Sequence, residues 1–231
     1  MKVEFAYDIA KEFKNFKNSF KSINHPDQSP RQKEFFSPFP ELTEENSRKF
    51  VEGYLKRNGI DMGANVKIIE ENWRSVEKQF FGRAEKIFQK KLPIENIQVW
   101  LTIHDRCSYS FERNEFFIHL HFPAANKTIM HELWHFYFYH TAGKKILDDF
   151  GSQIFNNIKE ALTVLLNIEF SDILMGVEDK GYPQHAELRR QIVELYKENN
   201  DIYKTIEGTL KIVTQKEVNH DSSNSSIRVN R

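Results

Sequence analysis

The chain has 231 residues, of which 39% are hydrophobic and 29% are charged, the composition of an ordinary globular protein. Its 33 basic and 33 acidic side chains cancel at pH 7, which argues against nucleic acid as the main partner. No apolar run approaches the roughly 20 residues of a membrane-spanning helix, and the first residues lack the apolar core of a signal peptide. The single cysteine, Cys107, excludes an intrachain disulfide and favours a reducing compartment, so we expect a cytoplasmic protein.

Residues 1–40 are predicted to form an N-terminal amphipathic helix followed by a proline-rich linker. Apolar residues, mainly phenylalanine, recur at helical spacing from Phe5 to Phe20, with lysines on the other side. This stripe favours a helix docked on the body of the protein, and a helix lying on a membrane surface is the alternative. Residues 24–40 hold four of the seven prolines, which excludes a continuous helix there.

Residues 41–213 are predicted to form one domain of the α+β class, which begins with two helices and a small sheet. Helical periodicity predicts the helices at 43–58 and 65–91. The hydrophobic pattern then changes to alternation, which predicts three strands, at 97–104, 107–112 and 115–122.

The rest of this domain is predicted to be helical. Helices are predicted at four places: 127–141, 152–169, 184–198 and 200–213. A loop that contains Gly143 and Gly151 is predicted between the first two. The polar residues 214–231 lack periodicity and are predicted to be a disordered tail.

The sequence HELWH at residues 131–135 is the motif with the clearest chemistry. On a helix, His131 and His135 stand one turn apart on the same face, so two imidazoles can bind one Zn²⁺ ion. Glu132 points roughly 100° away, beside such an ion rather than onto it, which suits a general base. The flanking residues are mostly apolar or aromatic, so the helix is predicted to be buried. A pair of hydrogen-bonded core histidines beside an unrelated glutamate is the alternative.

Glu160 is the predicted third protein ligand. Together with Asn156, Thr163 and Asn167 it forms a polar stripe on an otherwise apolar helix, and it is the single carboxylate of that stripe. A solvent-exposed helix face is the alternative interpretation. Asn156 and Thr163 are predicted to orient the ligands through hydrogen bonds, whereas His140 is placed off the metal-binding face by its spacing.

The order of these elements, with HELWH followed by KEALT, resembles the zincin superfamily of metallopeptidases, and within it the gluzincins. The resemblance implies a zincin-like α+β fold, in which a small mixed sheet of three or more strands packs on a long helix. The HExxH helix, the glutamate-bearing helix and a C-terminal helix pair would follow. The resemblance also implies one zinc ion per chain, with His131, His135 and Glu160 as its ligands. Little chain follows Glu160, so this would be a minimal form.

The function that the resemblance implies is zinc-dependent hydrolysis of peptide bonds through a zinc-activated water, with Glu132 as the general base. Tyr182 and His185 lie where a loop enters a helix, and they are candidate donors to the oxyanion that forms. In the alternative, Tyr182 packs in the core and His185 merely begins the helix. The strand at 115–122 is predicted, by resemblance, to bind an extended peptide or protein substrate by strand addition.

A binding module is the competing hypothesis: a zincin-like scaffold that recognises a protein partner without cleaving it. The glutamate inside HELWH favours the enzyme, because a purely structural metal site has no use for that carboxylate. Structural zinc sites also need four protein ligands, and the sequence has no cysteine cluster to complete such a shell.

Overall fold

The computed structural model describes residues 1–22, 42–104, 107–120 and 124–227. The predicted linker at 24–40 lies outside the described residues. Contacts divide the chain into unit 1, which comprises Met1–Glu77 and Ile94–Ile129, and unit 2, which comprises Lys78–Pro93 and Met130–Arg231. The predicted boundary at residue 40 does not coincide with this division. No helix in the described ranges has the length and apolar character needed to cross a membrane.

A four-stranded mixed sheet belongs to unit 1, and with the helices it confirms the α+β class. The parallel pairs are β1 with β2 and β2 with β4, and β3 pairs with β4 in the antiparallel sense. The strand order is therefore β1-β2-β4-β3. The strand bounds are β1 (Lys2–Ala6), β2 (Asn96–Thr102), β3 (Tyr109–Ser110) and β4 (Glu115–His119).

Strand β1 corrects the prediction that the chain begins with a helix. Val3 and Phe5 pair with Ile97 and Val99 of β2, so Phe5 shares the helical spacing of the later residues only by coincidence. Helix α1 (Ile9–Ser22) begins after Asp8, whose Oδ1 accepts a hydrogen bond from the backbone N–H of Lys11 at 2.8 Å. Residues Lys2–Ala6 are thus part of the sheet of unit 1.

Strand β4 is an inner strand, which corrects the prediction that residues 115–122 bind a peptide by strand addition. Both sides of β4 are paired over Glu115–Phe117, because β2 lies on one side and β3 on the other. The described strand ends at His119, and residues 121–122 lie outside the described ranges. The edge of the sheet on this side is formed by the two residues of β3.

The helices predicted at 43–58, 65–91 and 127–141 are present, with shifted ends. They are α2 (Ser47–Arg57), α3 (Met62–Ile87) and α4 (Ala125–Phe138), and α3 and α4 contribute residues to both units. Gly59 follows α2 with φ of 61°, the left-handed conformation that ends a helix.

Unit 2 contains the remaining helices, and its chain is more continuously helical than predicted. Its elements are α5 (Lys144–Leu162), α6 (Val164–Glu169), a 3₁₀ turn (Pro183–His185), α7 (Ala186–Asn199) and α8 (Ile202–Ile227). Helix α8 continues to Ile227, into the segment 214–231 for which the sequence predicts disorder.

The loop predicted around Gly143 is instead a wide helical turn. Residues Tyr139–Gly143 form a π-helical turn that joins α4 directly to α5. A Cβ atom at Gly143 would lie 2.9 Å from the ring of Phe138, so glycine permits this close turn. The predicted break at Gly151 is present, since its φ of 83° and ψ of 173° interrupt the helical conformation of α5.

Aromatic rings pack around the part of α4 that belongs to unit 2. The ring of Phe88 lies 4.7 Å from that of Trp134 and stacks on Tyr137 at 5.1 Å. Trp134 in turn lies 5.9 Å from Phe170, which contacts Phe80 at 5.1 Å. All five side chains are buried, so one side of α4 is fixed by rigid packing while its histidines face elsewhere.

Candidate metal centre

The structure brings together the three ligands predicted from the sequence. Nε2 of His131 lies 3.5 Å from Oε2 of Glu160, and Nε2 of His135 lies 3.5 Å from Oε1 of the same carboxylate. The possible ligand atoms of these residues all lie within 4.8 Å of one another. Ligands at 2.0–2.2 Å from one tetrahedral ion are about 3.3 Å apart, so the spacing of this group suits a metal ion.

Two helices of unit 2 position these ligands. His131 and His135 stand one turn apart on α4, with ring centroids 4.4 Å apart. Glu160 lies in the last turn of α5, which ends at Leu162. The two histidines are close together because they are one helical turn apart on α4. The carboxylate of Glu160 is close to them because α5 packs beside α4 at this point.

A buried aspartate orients His131. Nδ1 of His131 lies 2.7 Å from Oδ2 of Asp179. Asp179 is in the loop before the 3₁₀ turn, and it is only 2% exposed. The imidazole Nδ1–H donates to this carboxylate, which leaves Nε2 to face Glu160 and to serve as the ligand atom. Asp179 is a residue of this cluster that the sequence interpretation missed.

Asp179 is itself held by side chains on two helices. Nη2 of Arg189 donates to Oδ1 of Asp179 at 3.1 Å and also to its backbone oxygen, while Nη1 donates to Thr163 Oγ1 at 2.7 Å. The amide of Asn167 donates to the backbone oxygen of Asp179 at 2.9 Å and accepts its N–H at 2.8 Å. Gly181 makes room for the guanidinium group, since a Cβ there would lie 2.6 Å from Arg189 Nη1.

The polar stripe predicted around Glu160 therefore has a mixed outcome. Thr163 and Asn167 both donate hydrogen bonds to Asp179. Thr163 was predicted to orient a ligand through hydrogen bonds, and its contact with the aspartate that orients His131 agrees with that prediction. Asn156 is exposed, so its predicted orienting role is wrong. The neighbouring Asn157 makes the inward contact instead, to His185.

Glu132 lies beside this group and carries an unsatisfied carboxylate oxygen. The residue is 5% exposed, and its Oε2 has no hydrogen-bond partner within the described ranges. Burial raises the pKa of Glu132 to about 7, although the positive charges of His131 and Lys159 oppose this change. Two imidazoles, one carboxylate and an adjacent unsatisfied carboxylate oxygen are a donor set that fits a divalent metal ion.

The two histidines differ in charge because their neighbours differ. Burial lowers the pKa of His131, but hydrogen bonds to Asp179 and Glu160 outweigh burial and raise it to about 10. Burial and the charge of Lys159 lower the pKa of His135 to about 3. Burial would raise the pKa of Glu160, yet both histidines and Lys159 hold it well below its usual value. The carboxylate of Glu160 is thus held between the imidazolium of His131 and the ammonium group of Lys159, and a bound cation would replace the proton on His131.

The two predicted oxyanion donors have different surroundings. Tyr182 is 46% exposed, with its ring perpendicular to that of His185 at 6.0 Å. His185 is buried, and its Nε2 lies 3.2 Å from Oδ1 of Asn157. Because that oxygen is an acceptor, Nε2 carries the proton and the buried Nδ1 is left as an acceptor without a partner in the described ranges. Burial also lowers the pKa of His185, so this geometry favours accepting rather than donating a hydrogen bond.

Comparison with protein-family models finds no match, and comparisons with characterised proteins and with solved structures find no significant similarity.

Proposed function

We propose that the protein is a zinc-dependent metallopeptidase of the zincin superfamily, gluzincin-like in its ligands, that hydrolyses peptide bonds. The observation that carries the proposal is the convergence of His131, His135 and Glu160 beside the unsatisfied carboxylate of Glu132.

Zinc is the proposed metal because two imidazoles and one carboxylate are the ligands of many catalytic zinc sites, which keep a fourth position open. When bound, zinc would act as a Lewis acid that polarises the scissile carbonyl and activates water. The location predicted from the single cysteine, the cytoplasm, is part of the same proposal.

Glu132 is the proposed general base. Its pKa of about 7 lies near neutral pH, where a carboxyl group can both accept and return a proton. Oε2, the oxygen without a partner in the described ranges, would take the proton from the attacking water and deliver it to the leaving amine nitrogen. No further acid is then needed for the amine to leave.

The remaining residues bind and orient. Asp179 fixes the tautomer of His131, and Arg189 fixes Asp179. The exposed hydroxyl-bearing side chain of Tyr182 is the better candidate to donate to the oxyanion, and Nδ1 of His185 is suited to accept from a substrate N–H. The substrate class is a peptide or protein chain.

The substitution Glu132→Gln tests this proposal. The parent protein, loaded with one equivalent of zinc, should cleave members of a fluorogenic peptide library. The variant should retain zinc but lose about 10²–10⁴-fold in kcat, the usual contribution of general acid–base catalysis. The matched control is Glu12→Gln, which changes a buried glutamate of unit 1 and should leave kcat unchanged.

The binding-module hypothesis predicts a different result. A zinc-loaded parent that cleaves no peptide, or a Glu132→Gln variant that cleaves as fast as the parent, would contradict the peptidase proposal. Binding of a protein partner that survives Glu132→Gln, without any cleavage, would favour the non-catalytic module.

A further inference from the structure

A buried lysine lies next to the carboxylate of the metal centre. Lys159 precedes Glu160 on α5 and is only 2% exposed. Lysine is rarely buried to this degree unless its charge is compensated by a partner. An ammonium group is unexpected at a centre that is proposed to receive a second cation, because the two repel one another.

The contact distances show which atom Lys159 holds. Its Nζ lies 2.8 Å from Oε1 of Glu160, the oxygen that also lies 3.5 Å from Nε2 of His135. The other oxygen, Oε2, faces Nε2 of His131. The two oxygens of Glu160 are therefore distinct, one shared with an ammonium group and the other turned to the first histidine.

The charge of Lys159 acts on the whole centre. Its Nζ and the Nε2 ligand atom of His135 lie against the same oxygen, Oε1 of Glu160, so the ammonium group is next to the ligand group. A metal ion placed between the histidines would feel the same field. Lys159 is thus positioned to affect both the metal-free and the metal-loaded centre.

We infer that Lys159 is a positioning residue that compensates the charge of Glu160 when no metal is bound and lowers the affinity of the centre for its metal. This inference rests on the proposed function. In the metal-free protein the ammonium group replaces part of the compensation that a divalent cation would supply, so the buried carboxylate does not destabilise the fold. In the loaded protein Lys159 and the metal share one carboxylate and repel each other, which makes the metal exchangeable.

A purely structural role for Lys159 makes the opposite prediction. If the lysine only held α5 in place, its removal would disturb Glu160 and weaken metal binding. If it competes with the metal, its removal strengthens metal binding while it lowers the stability of the metal-free protein. The sign of the change in affinity therefore separates the two roles.

The experiment measures the zinc dissociation constant by competition with a chromogenic chelator, for the parent and for Lys159→Met. The neutral variant should bind zinc about tenfold more tightly or better, because a repulsive charge next to the ion is removed. Its melting temperature in excess chelator should fall, and the rise in melting temperature on adding zinc should exceed that of the parent.

Two further variants make the result decisive. Lys159→Gln is also neutral but keeps a hydrogen-bond donor for Glu160. It therefore serves as the test variant if Lys159→Met is too unstable to fold, and it should also bind zinc more tightly than the parent. Lys144→Met removes a lysine from the same helix whose side chain is 64% exposed and paired with Asp148 at 3.0 Å. This control should bind zinc as the parent does.

The outcomes separate the inference from the proposal on which it rests. A parent that does not bind zinc contradicts the proposed function. A parent that binds zinc, with neutral Lys159 variants that bind it equally or more weakly, overturns the role of Lys159 and leaves the proposed function standing.

Discussion

Each unit buries a glutamate with one unsatisfied oxygen, and the two glutamates differ in what surrounds them. In unit 1, Oε1 of Glu12 accepts hydrogen bonds from Thr102 Oγ1 at 3.0 Å and from the backbone N–H of Ile103 at 3.1 Å. In unit 2, charged side chains surround Glu132, and these are His131, Lys159, Glu160 and Asp179. In both residues Oε2 has no partner within the described ranges, and burial raises the pKa of both to about 7.

The comparison shows that a raised carboxyl pKa reports burial rather than function. The groups that bond Glu12 are a neutral hydroxyl and a backbone amide, neither of which can bind a metal or exchange a proton near neutral pH. The groups around Glu132 can do both. Perturbed pKa values indicate a functional site only when the neighbouring groups supply a reaction.

Unit 1 supplies the largest expected effect on stability. Burial raises the pKa of Glu12 from 4.5 to about 7, so the folded state binds more protons than the unfolded state in this range. The contribution of Glu12 to the free energy of unfolding is therefore fully present below pH 4.5 and is lost as the pH rises through 7. The loss amounts to about 3 kcal/mol at most.

Urea unfolding between pH 4 and 8, in excess chelator, measures this effect. Glu12→Gln should remove the dependence, so that the variant gains stability relative to the parent as the pH rises. Glu52→Gln changes a half-exposed glutamate of α2 and should keep the slope of the parent. Parallel curves for Glu12→Gln and the parent would show that Glu12 does not titrate in this range.

Unit 2 supplies the next effect, on metal affinity. Asp179→Asn should weaken zinc binding about 10–100-fold, because the carboxylate that orients His131 is lost. Isothermal titration calorimetry with zinc measures the change. Asp172→Asn is the matched control, since Asp172 is 55% exposed and pairs with Arg83. Equal affinities for the two variants would mean that Asp179 does not orient the ligand.

A smaller effect is expected at Gly181, where the network around Asp179 depends on close packing. Gly181→Ala should weaken zinc binding by about threefold to tenfold, less than Asp179→Asn, because a Cβ at this position displaces the guanidinium of Arg189. Gly176→Ala is the control, since Gly176 also has a positive φ but has open space around it. Both variants should lose about 1 kcal/mol of stability from the backbone conformation, and only the first should lose zinc affinity.

The sequence predicted correctly which side chains come together where their positions follow from the period of an α-helix. The spacing of His131 and His135 required one face of a helix, and Glu160 was the single carboxylate of a polar stripe on a nearby helix. Both features follow from local periodicity, which tertiary contacts did not override. The apolar flanks of HELWH likewise predicted a buried helix, and the aromatic packing of Trp134 and Tyr137 confirms it.

The missed features depend on contacts that have no local signature. Asp179 comes from a loop without periodicity, and Arg189 lies on a helix rich in charged residues, where it is indistinguishable from exposed ones. Lys159 was overlooked because a lysine beside a glutamate usually marks an exposed helix face. Strand β1 was missed because its pairing with β2 overrides the phenylalanine spacing.

The metal content of the purified chain tests the central claim most directly. We would purify the parent and Glu160→Ala without an affinity-metal resin, add zinc, remove the unbound excess and count metal per chain by mass spectrometry. The account predicts about one zinc ion per parent chain and little in the variant, as three protein ligands require. A parent without metal after zinc has been added, or a variant that holds as much as the parent, would contradict it.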